Sequence, residues 1–265
     1  TRRVGSPIGY SGGAQPAPPV EAFISVWATT VVDETITIPC QNVGTFNAVV
    51  DWGDGTVETI TTYNGFTHEY ADIDEYTISI TGTFPNIYLN SGASAPKLKR
   101  VTNLGTVGWT RLNSSFQGCT NLTSFTAGST DTSAVTSMSQ MFYASSGVTS
   151  MNLSGFDTSS VTSMTFMFWG LSALTSLDVS AFDTSSVTSM SNMFRNTAIT
   201  SLDVSSFDTS LVSSMSQMFF SCTSLTSMVG VEDWDITGLN STSSLTSFLT
   251  VGKMTTPQYD NLLIN

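Results

Sequence analysis

One twelve-residue phrase occurs four times in this chain at nearly constant spacing. It reads DTSAVTSMSQMF from Asp131, DTSSVTSMTFMF from Asp157, DTSSVTSMSNMF from Asp183 and DTSLVSSMSQMF from Asp208, with offsets of 26, 26 and 25 residues. A fixed period of this length is typical of folds in which each repeat is one structural unit stacked on the next. The phrase therefore predicts a stacked solenoid.

A second pattern, close to L-T-S-L-D-V-S, lies between the phrases with the same period. Each unit offers about six apolar side chains, which contribute roughly 2 kcal/mol each when buried. Ordering the backbone costs about 1–2 kcal/mol per residue, so one unit cannot fold alone. We expect the units to fold as one block whose end units need caps.

The apolar residues of the phrase are predicted to point inward as four columns. Methionine beside phenylalanine suits such a core, because a thioether fills irregular gaps and contacts rings. The columns are Val135/Val161/Val187/Val212, Met138/Met164/Met190/Met215, Met141/Met167/Met193/Met218 and Phe142/Phe168/Phe194/Phe219.

The polar residues of the second pattern are predicted to face outward, because side chains alternate between the two faces of a strand. Stacking the units aligns them into a small, polar, repetitive face of a parallel sheet. We take this face as the candidate binding surface, formed by Ser150, Asn152, Ser176, Asp178, Ser201 and Asp203.

A column of carboxylates is predicted at the start of the phrases, at Asp131, Asp157, Asp183 and Asp208. Carboxylates about 5 Å apart repel by nearly 1 kcal/mol per pair in water. In D-T-S each carboxylate can accept from backbone N–H groups two residues on, which forms an Asx turn. The alternative is a row of Ca²⁺ ions shared between units; no other cofactor is expected.

Composition restricts the classes of partner. The net charge is −12, which speaks against nucleic acid and anionic membranes as partners. The sequence contains no run of 18 apolar residues, so it predicts no membrane-spanning helix. Residues 1–20 lack the apolar region of a signal peptide. Cys40, Cys119 and Cys222 are interpreted as buried apolar residues, because Cys119 and Cys222 lie too many units apart for a disulfide.

Residues 21–83 have a different sequence pattern, in which short segments of alternating apolar and polar residues lie between turns. This pattern predicts a small β-sandwich. The segment FNAVVDWGDGT, the triplet His68-Glu69-Tyr70 and the strand Glu75–Ile80 resemble the polycystic kidney disease (PKD) type of immunoglobulin-like domain. Asp74-Glu75 replaces the Gly-Thr of that pattern. The resemblance implies a non-catalytic spacer or display module, and we expect His68 to bond structurally to the turn.

From about Phe84 onward the phrase F-D-T-S-x-V-T-S-M-x-x-M-F resembles the BspA-like leucine-rich repeat surface proteins. The predicted fold is mainly β: an extended Pro/Gly-rich arm (1–20), a PKD-like β-sandwich (21–83), a leucine-rich-repeat solenoid (84–252) and a C-terminal capping helix (253–265). The basic residues Lys97, Lys99, Arg100 and Arg111 are expected to form a solvated junction that faces the acidic array.

The resemblances imply extracellular display, adhesion and contact with protein or glycan, without catalytic residues. We expect a bacteriophage virion component, a head decoration or fibre that docks through its N-terminal arm and binds a host-surface protein or glycan. The alternative setting is a secreted bacterial adhesin, and a homo-oligomer fits either setting. An ice-binding protein and a glycosidase are remote alternatives, since the outward columns mix residue types and every unit repeats the same carboxylates.

Overall fold

A computed structural model describes residues 21–239 and 249–250 of the chain. The described part is mainly β, with two short 3₁₀ helices at Ala95–Lys97 and Val231–Asp233. The strands are β1 (Phe23–Ala28), β2 (Glu34–Thr37), β3 (Asn47–Asp51), β4 (Val57–Ile60), β5 (Thr67–Tyr70), β6 (Glu75–Thr83), β7 (Leu98–Asn103), β8 (Ser124–Thr126), β9 (Ser150–Asn152), β10 (Ser201–Asp203), β11 (Phe219–Phe220), β12 (Ser227–Val229) and β13 (Leu249–Thr250).

The N-terminal strands form an antiparallel sheet in the order β4-β3-β6-β1, with the separate pair β2-β5 packed on it. Tyr70 of β5 stacks on Tyr76 of β6, with 3.9 Å between ring centroids. The hairpin predicted at Asp54-Gly55 joins β3 to β4. Gly53 allows this turn: its φ is +84°, and a Cβ there would lie 2.5 Å from the carbonyl oxygen of Thr77.

The same sheet continues into the repeats. β7 pairs antiparallel with β1 on one side and parallel with β8 on the other, and β8 pairs parallel with β9. The resulting seven-stranded sheet runs in the order β4-β3-β6-β1-β7-β8-β9. The N-terminal sheet and the first repeats therefore share one sheet and one apolar core, which the change of sequence texture did not predict.

The repeats stack one on another in register. We number them unit one (131–156), unit two (157–182), unit three (183–207) and unit four (208–234). Backbone bonds at the repeat spacing join them: Met138 N–H donates to the Ser163 carbonyl and Met164 N–H to the Ser189 carbonyl, at 3.0 and 3.1 Å. All four predicted inward columns are buried.

The phenylalanines of the phrase form a stack of rings along the inside of the array. Successive centroids from Phe116 through Phe142, Phe168 and Phe194 to Phe219 lie 5.7, 5.9, 5.6 and 5.4 Å apart, with interplanar angles of 5–16°. Near-parallel rings at one constant step indicate that the units rise by nearly the same distance throughout the core.

The sequence predicted that the basic junction faces the acidic array, but the structure shows a different arrangement. Lys97 pairs with Glu34 of β2 at 2.8 Å, and Arg100 pairs with Glu75 of β6 at 2.6 Å. The guanidinium of Arg111 donates to the side chain of Gln41. Because β7 lies beside β1, the nearest acidic side chains belong to the N-terminal strands, and the ion pairs tie those strands to the repeats.

The arm at 1–20 and the capping helix at 253–265 lie outside the described residues. Within residues 21–239 and 249–250, no helix has the length and apolar character to cross a bilayer.

Candidate functional site

The predicted polar face lies at the surface. Asn152, Asp178 and Asp203 are exposed, as are Ser150, Ser176 and Ser201. Each of the three acceptors forms a turn of its own: the backbone N–H groups of Ser154, Ser180 and Ser205 donate to them at 3.1, 2.9 and 3.0 Å. The column is therefore a row of Asx turns that holds each side chain in one position along the array.

The second carboxylate column forms the predicted Asx turns in every unit. The backbone N–H groups of Ser133, Ser159, Ser185 and Ser210 donate to Asp131, Asp157, Asp183 and Asp208 at 2.9–3.1 Å. A fifth member that the sequence pattern missed, Asp235, accepts from the N–H of Thr237 at 2.9 Å. The hydroxyl and N–H of the following Ser lower the pKa of Asp131, Asp183 and Asp208. Among the described residues, no three His, Cys, Asp or Glu side chains are grouped to hold a metal ion.

The threonine that follows each of these aspartates connects one unit to the next. The buried hydroxyl of Thr158 donates to the carbonyl of Asp183 and accepts from the N–H of Asp183, both at 2.8 Å. Thr132 makes the same two bonds to Asp157 at 2.9 Å. The D-T-S phrase thus serves both as a turn and as a clip between units. The invariant Thr was the available signal for the second role.

A chain of hydroxyl groups runs along a second surface of the array, where Ser137, Ser163, Ser189 and Ser214 form parallel bridges. Bonds between units join Ser139 to Ser163 at 2.8 Å, Thr165 to Ser189 at 3.0 Å and Ser191 to Ser214 at 2.6 Å. The members are half-buried and bonded to one another. This ladder is continuous from unit one to unit four.

The row of parallel strands on the candidate binding face is interrupted, unlike the ladder of hydroxyl groups. Residues 176–178 of unit two form no strand, although β9 in unit one and β10 in unit three occupy the equivalent positions. β9 is accordingly the last strand of the seven-stranded sheet. A cleft of about 410 Å³ opens at the interruption, lined by residues 151–154 of unit one and by Asp178, Ser180 and Ala181 of unit two.

Unit one carries glycine at two positions where it packs closely on the preceding unit. In unit one, a Cβ on Gly155 would lie 2.2 Å from the Gly128 carbonyl oxygen, and one on Gly147 would lie 2.2 Å from the Thr120 carbonyl oxygen. Unit two carries Ala181 and Ala173 at these two positions. The segment between them pairs neither with β9 nor with β10.

The N-terminal sheets bring the residues of the PKD-like pattern together. His68 Nε2 lies 2.7 Å from Asp54 Oδ2, and its ring stacks on Trp52 with centroids 5.1 Å apart. The hydroxyl of Tyr70 donates to the Trp52 carbonyl at 2.8 Å. Burial alone would raise the pKa of Asp54, but hydrogen bonds from His68 and Thr56 outweigh it and lower that pKa. The predicted bond from His68 to the turn is confirmed.

The three cysteines are all free thiols. Cys119 and Cys222 are buried and Cys40 is half-buried, and burial raises the pKa of each thiol. A raised pKa keeps a thiol protonated and unreactive at neutral pH. The interpretation of the cysteines as apolar packing residues therefore agrees with their surroundings.

Comparison with known proteins identifies one related family. The sequence model of the family described as "Mycoplasma protein of unknown function, DUF285" matches the chain over residues 88–178 and again over residues 146–254. No curated protein and no solved structure matches the chain. The two matches together cover more than half of the chain and include all four repeat units.

Proposed function

Because this chain belongs to the family described as mycoplasma proteins of unknown function, DUF285, we propose that it is a non-enzymatic surface protein that binds other molecules through its stacked repeats. The observation that carries the proposal is the row of Asx turns on the polar face. These turns fix the same few polar groups at one spacing along the array. A rigid, repetitive surface of this kind suits recognition by many small contacts.

The chemistry of the carboxylates favours binding over hydrolysis. A general acid in a glycosidase needs a raised pKa, so that the carboxyl group holds its proton at the working pH. Here the pKa of Asp131, Asp178, Asp183, Asp203 and Asp208 is lowered, in each case mainly by the hydroxyl of a following serine. Each carboxylate is an ionised acceptor and a poor proton donor.

We assign finer identities to the two parts of the chain. The repeats are proposed to be a BspA-like leucine-rich-repeat solenoid, supported by the parallel bonds at the repeat spacing. Residues 21–83 are proposed to be a PKD-like spacer, supported by the contacts among Trp52, Asp54, His68 and Tyr70. Residues 1–20 are proposed as a docking arm and 253–265 as a helical cap.

The setting that we propose is the surface of a bacterial cell. The family description names mycoplasma, which are cells, and this favours a cell-surface adhesin over the virion component expected from the sequence. The partner is proposed to be a protein or glycan of another surface.

Two measurements test the proposal. Protease treatment of intact cells that produce the protein should remove it before any cytosolic marker is lost. Purified protein on a panel of matrix proteins and glycans should bind at least one member, and it should release no product from any polysaccharide. Protection of the protein in intact cells would contradict the surface location. Turnover that is lost in an Asp→Asn variant would contradict the non-enzymatic role.

A further inference from the structure

The interruption between units one and two creates a donor and an acceptor on opposite sides of one cleft. Asn152 Oδ1 accepts from the N–H and the hydroxyl of Ser154 at 3.1 and 2.8 Å. A backbone N–H can only donate, so the bonded atom is the amide oxygen and the NH₂ group stays available as a donor. Asp178 Oδ1 accepts from the N–H of Ser180 at 2.9 Å, which leaves Oδ2 as an acceptor.

The charge of the cleft selects against anions. None of its lining residues is Lys, Arg or His. The hydroxyl and N–H of Ser180 lower the pKa of Asp178, so this carboxylate is ionised at neutral pH. A phosphate, sulfate or carboxylate group on a ligand would meet this charge without a compensating cation.

The cleft also has an apolar part. Met151 is half-buried here, whereas Phe125, its counterpart in β8, and Leu202, its counterpart in β10, are buried. The difference arises because the segment that would cover Met151 does not pair with β9. The methyl group of Ala181 lies exposed at the opposite wall.

A neutral ligand with neighbouring hydroxyl groups on one edge and C–H groups on the other matches this arrangement. One hydroxyl can donate to Asp178 while the next accepts from Asn152, since a hydroxyl does both. The volume of about 410 Å³ falls within the range of about 300–1,000 Å³ that small-ligand sites occupy. We infer that this cleft is a binding site for a neutral saccharide unit, an inference that rests on the proposed function and names the site and ligand class for it.

An extended peptide does not fit the same space. A strand inserted between β9 and unit two would require two strand spacings, about 9.6 Å in total. The rings of Phe142 and Phe168, in the same two units, lie 5.9 Å apart, against 5.7 and 5.6 Å for the steps on either side. The units are thus separated only locally and at the surface, where a sugar ring can enter from solvent.

Two substitutions probe the site by different routes. Asp178→Asn removes the charged acceptor but keeps the turn, because unit one already uses Asn152 in that role. Asp235→Asn is its matched control: it makes the same change at another exposed Asx-turn aspartate, which lies outside the cleft and outside the candidate binding surface. Ala181→Gly restores the glycine that unit one has at position 155 and should let unit two pair with β9. Ala134→Gly, at an exposed position that does not line the cleft, is the control for added chain flexibility.

The measurement is saturation-transfer NMR and calorimetry with neutral oligosaccharides built from glucose, galactose, mannose and N-acetylglucosamine. We expect one of them to bind, Asp178→Asn to weaken its binding at least about ten-fold, and Asp235→Asn and Ala134→Gly to leave its binding unchanged. Ala181→Gly should abolish binding and slow amide exchange in residues 151–153, which reports closure of the cleft.

The outcomes separate this inference from the proposed function. Equal saccharide affinity in the wild type, Asp178→Asn and Ala181→Gly proteins would overturn the assignment of the cleft as the binding site, but it would leave the surface-binding role intact. A wild-type protein that binds matrix proteins but no neutral saccharide overturns the ligand class in the same way. Binding to neither class overturns both proposals.

Discussion

At the scale of single residues, the repeat places polar groups where the backbone of the next unit needs partners. Thr158 of unit two illustrates this, because its buried hydroxyl bonds to both the N–H and the carbonyl of Asp183 in unit three. Buried backbone groups without partners are costly, so this threonine has a structural role that a merely apolar residue of the same shape cannot fill.

Thr158→Val is expected to lower the free energy of unfolding by about 1–3 kcal/mol, since it leaves two partly buried backbone groups of Asp183 without their partner. Urea unfolding measures the change. The control is Thr162→Val, whose exposed hydroxyl donates to the Thr136 carbonyl at 3.1 Å and can be replaced by water. It should change stability by no more than about 0.5 kcal/mol. Equal losses in the two variants would contradict the role of Thr158.

Left-handed backbone recurs at two positions of the repeat, of which one tolerates glycine. Gly118, Ala144, Gly170, Asn196 and Ser221 occupy it with φ between +57° and +76°. An L-residue other than glycine pays for this conformation with about 1–2 kcal/mol, because its Cβ approaches the following carbonyl oxygen. The repeat accepts several residue types here, but glycine fits with least strain.

Ala144→Gly is expected to raise the free energy of unfolding by about 0.5–1 kcal/mol, since relief of the φ of +57° exceeds the added entropy of the unfolded chain. The matched control, Ala134→Gly, has no such strain to relieve and should lower stability by about 0.4–1 kcal/mol. Thermal and urea unfolding measure the stability of both variants relative to the wild type. A loss of stability in Ala144→Gly would show that the left-handed conformation carries no strain.

At the scale of elements, an ion pair fastens β2 to the start of the repeats. Glu34 pairs with Lys97 at 2.8 Å and accepts from the N–H of Thr30 at 2.5 Å. Partial burial alone would raise the pKa of Glu34. The hydrogen bond and charge of Lys97, together with the donors of Thr30, outweigh it and bring the pKa to about 2 from 4.5.

The sign of the pH dependence follows from that lowered pKa. A carboxylate whose pKa is lower in the folded state stabilises the fold above its unfolded pKa and loses that contribution as pH falls. Wild-type stability should therefore decline between about pH 4.5 and pH 2. Glu34→Gln should be less stable at pH 7 and flatter over this range. Glu69→Gln, exposed on the neighbouring strand β5, should keep the wild-type slope. Parallel profiles for Glu34→Gln and the wild type would contradict the assignment.

At the scale of the whole molecule, the N-terminal strands and the first repeats share one sheet and one apolar core. β7 contributes to both parts: Leu98 lies opposite Trp27 of β1, and Val101 lies opposite Phe125 of β8. The N-terminal part therefore covers the first edge of the array, which is the role that end caps have in repeat proteins.

The described part should accordingly unfold in one transition. Hydrogen exchange in urea, followed separately in β6 and in residues 161–168, should give coincident midpoints. Leu98→Ala, a change at a fully buried residue of β7, should lower both midpoints together, with a loss of about 2–5 kcal/mol. Separate midpoints, or a shift in β6 alone, would mean that the two parts fold independently.

Much of this fold could be predicted from the sequence because the determining signals are local and repeated. The period, the inward Val, Met and Phe columns and the Asx turns each depend on residue type and on spacing within one unit. The hairpin at Asp54-Gly55 and the bond from His68 to the turn depended on short patterns of the same kind.

Features that depend on distances between units could not be read in this way. Ala181 differs from Gly155 by one methyl group, and the sequence alone gave no reason to weigh it. Only the structure shows that a Cβ at the equivalent position in unit one would lie 2.2 Å from the Gly128 carbonyl oxygen. The same holds for the partner of Lys97 and for the sheet that β7 extends into the repeats. By itself the sequence determined which side chains point inward and which turns form, because both follow from local periodicity. Only the tertiary structure decided which units pair and where a cleft opens, because pairing depends on close packing between units, which local periodicity does not fix.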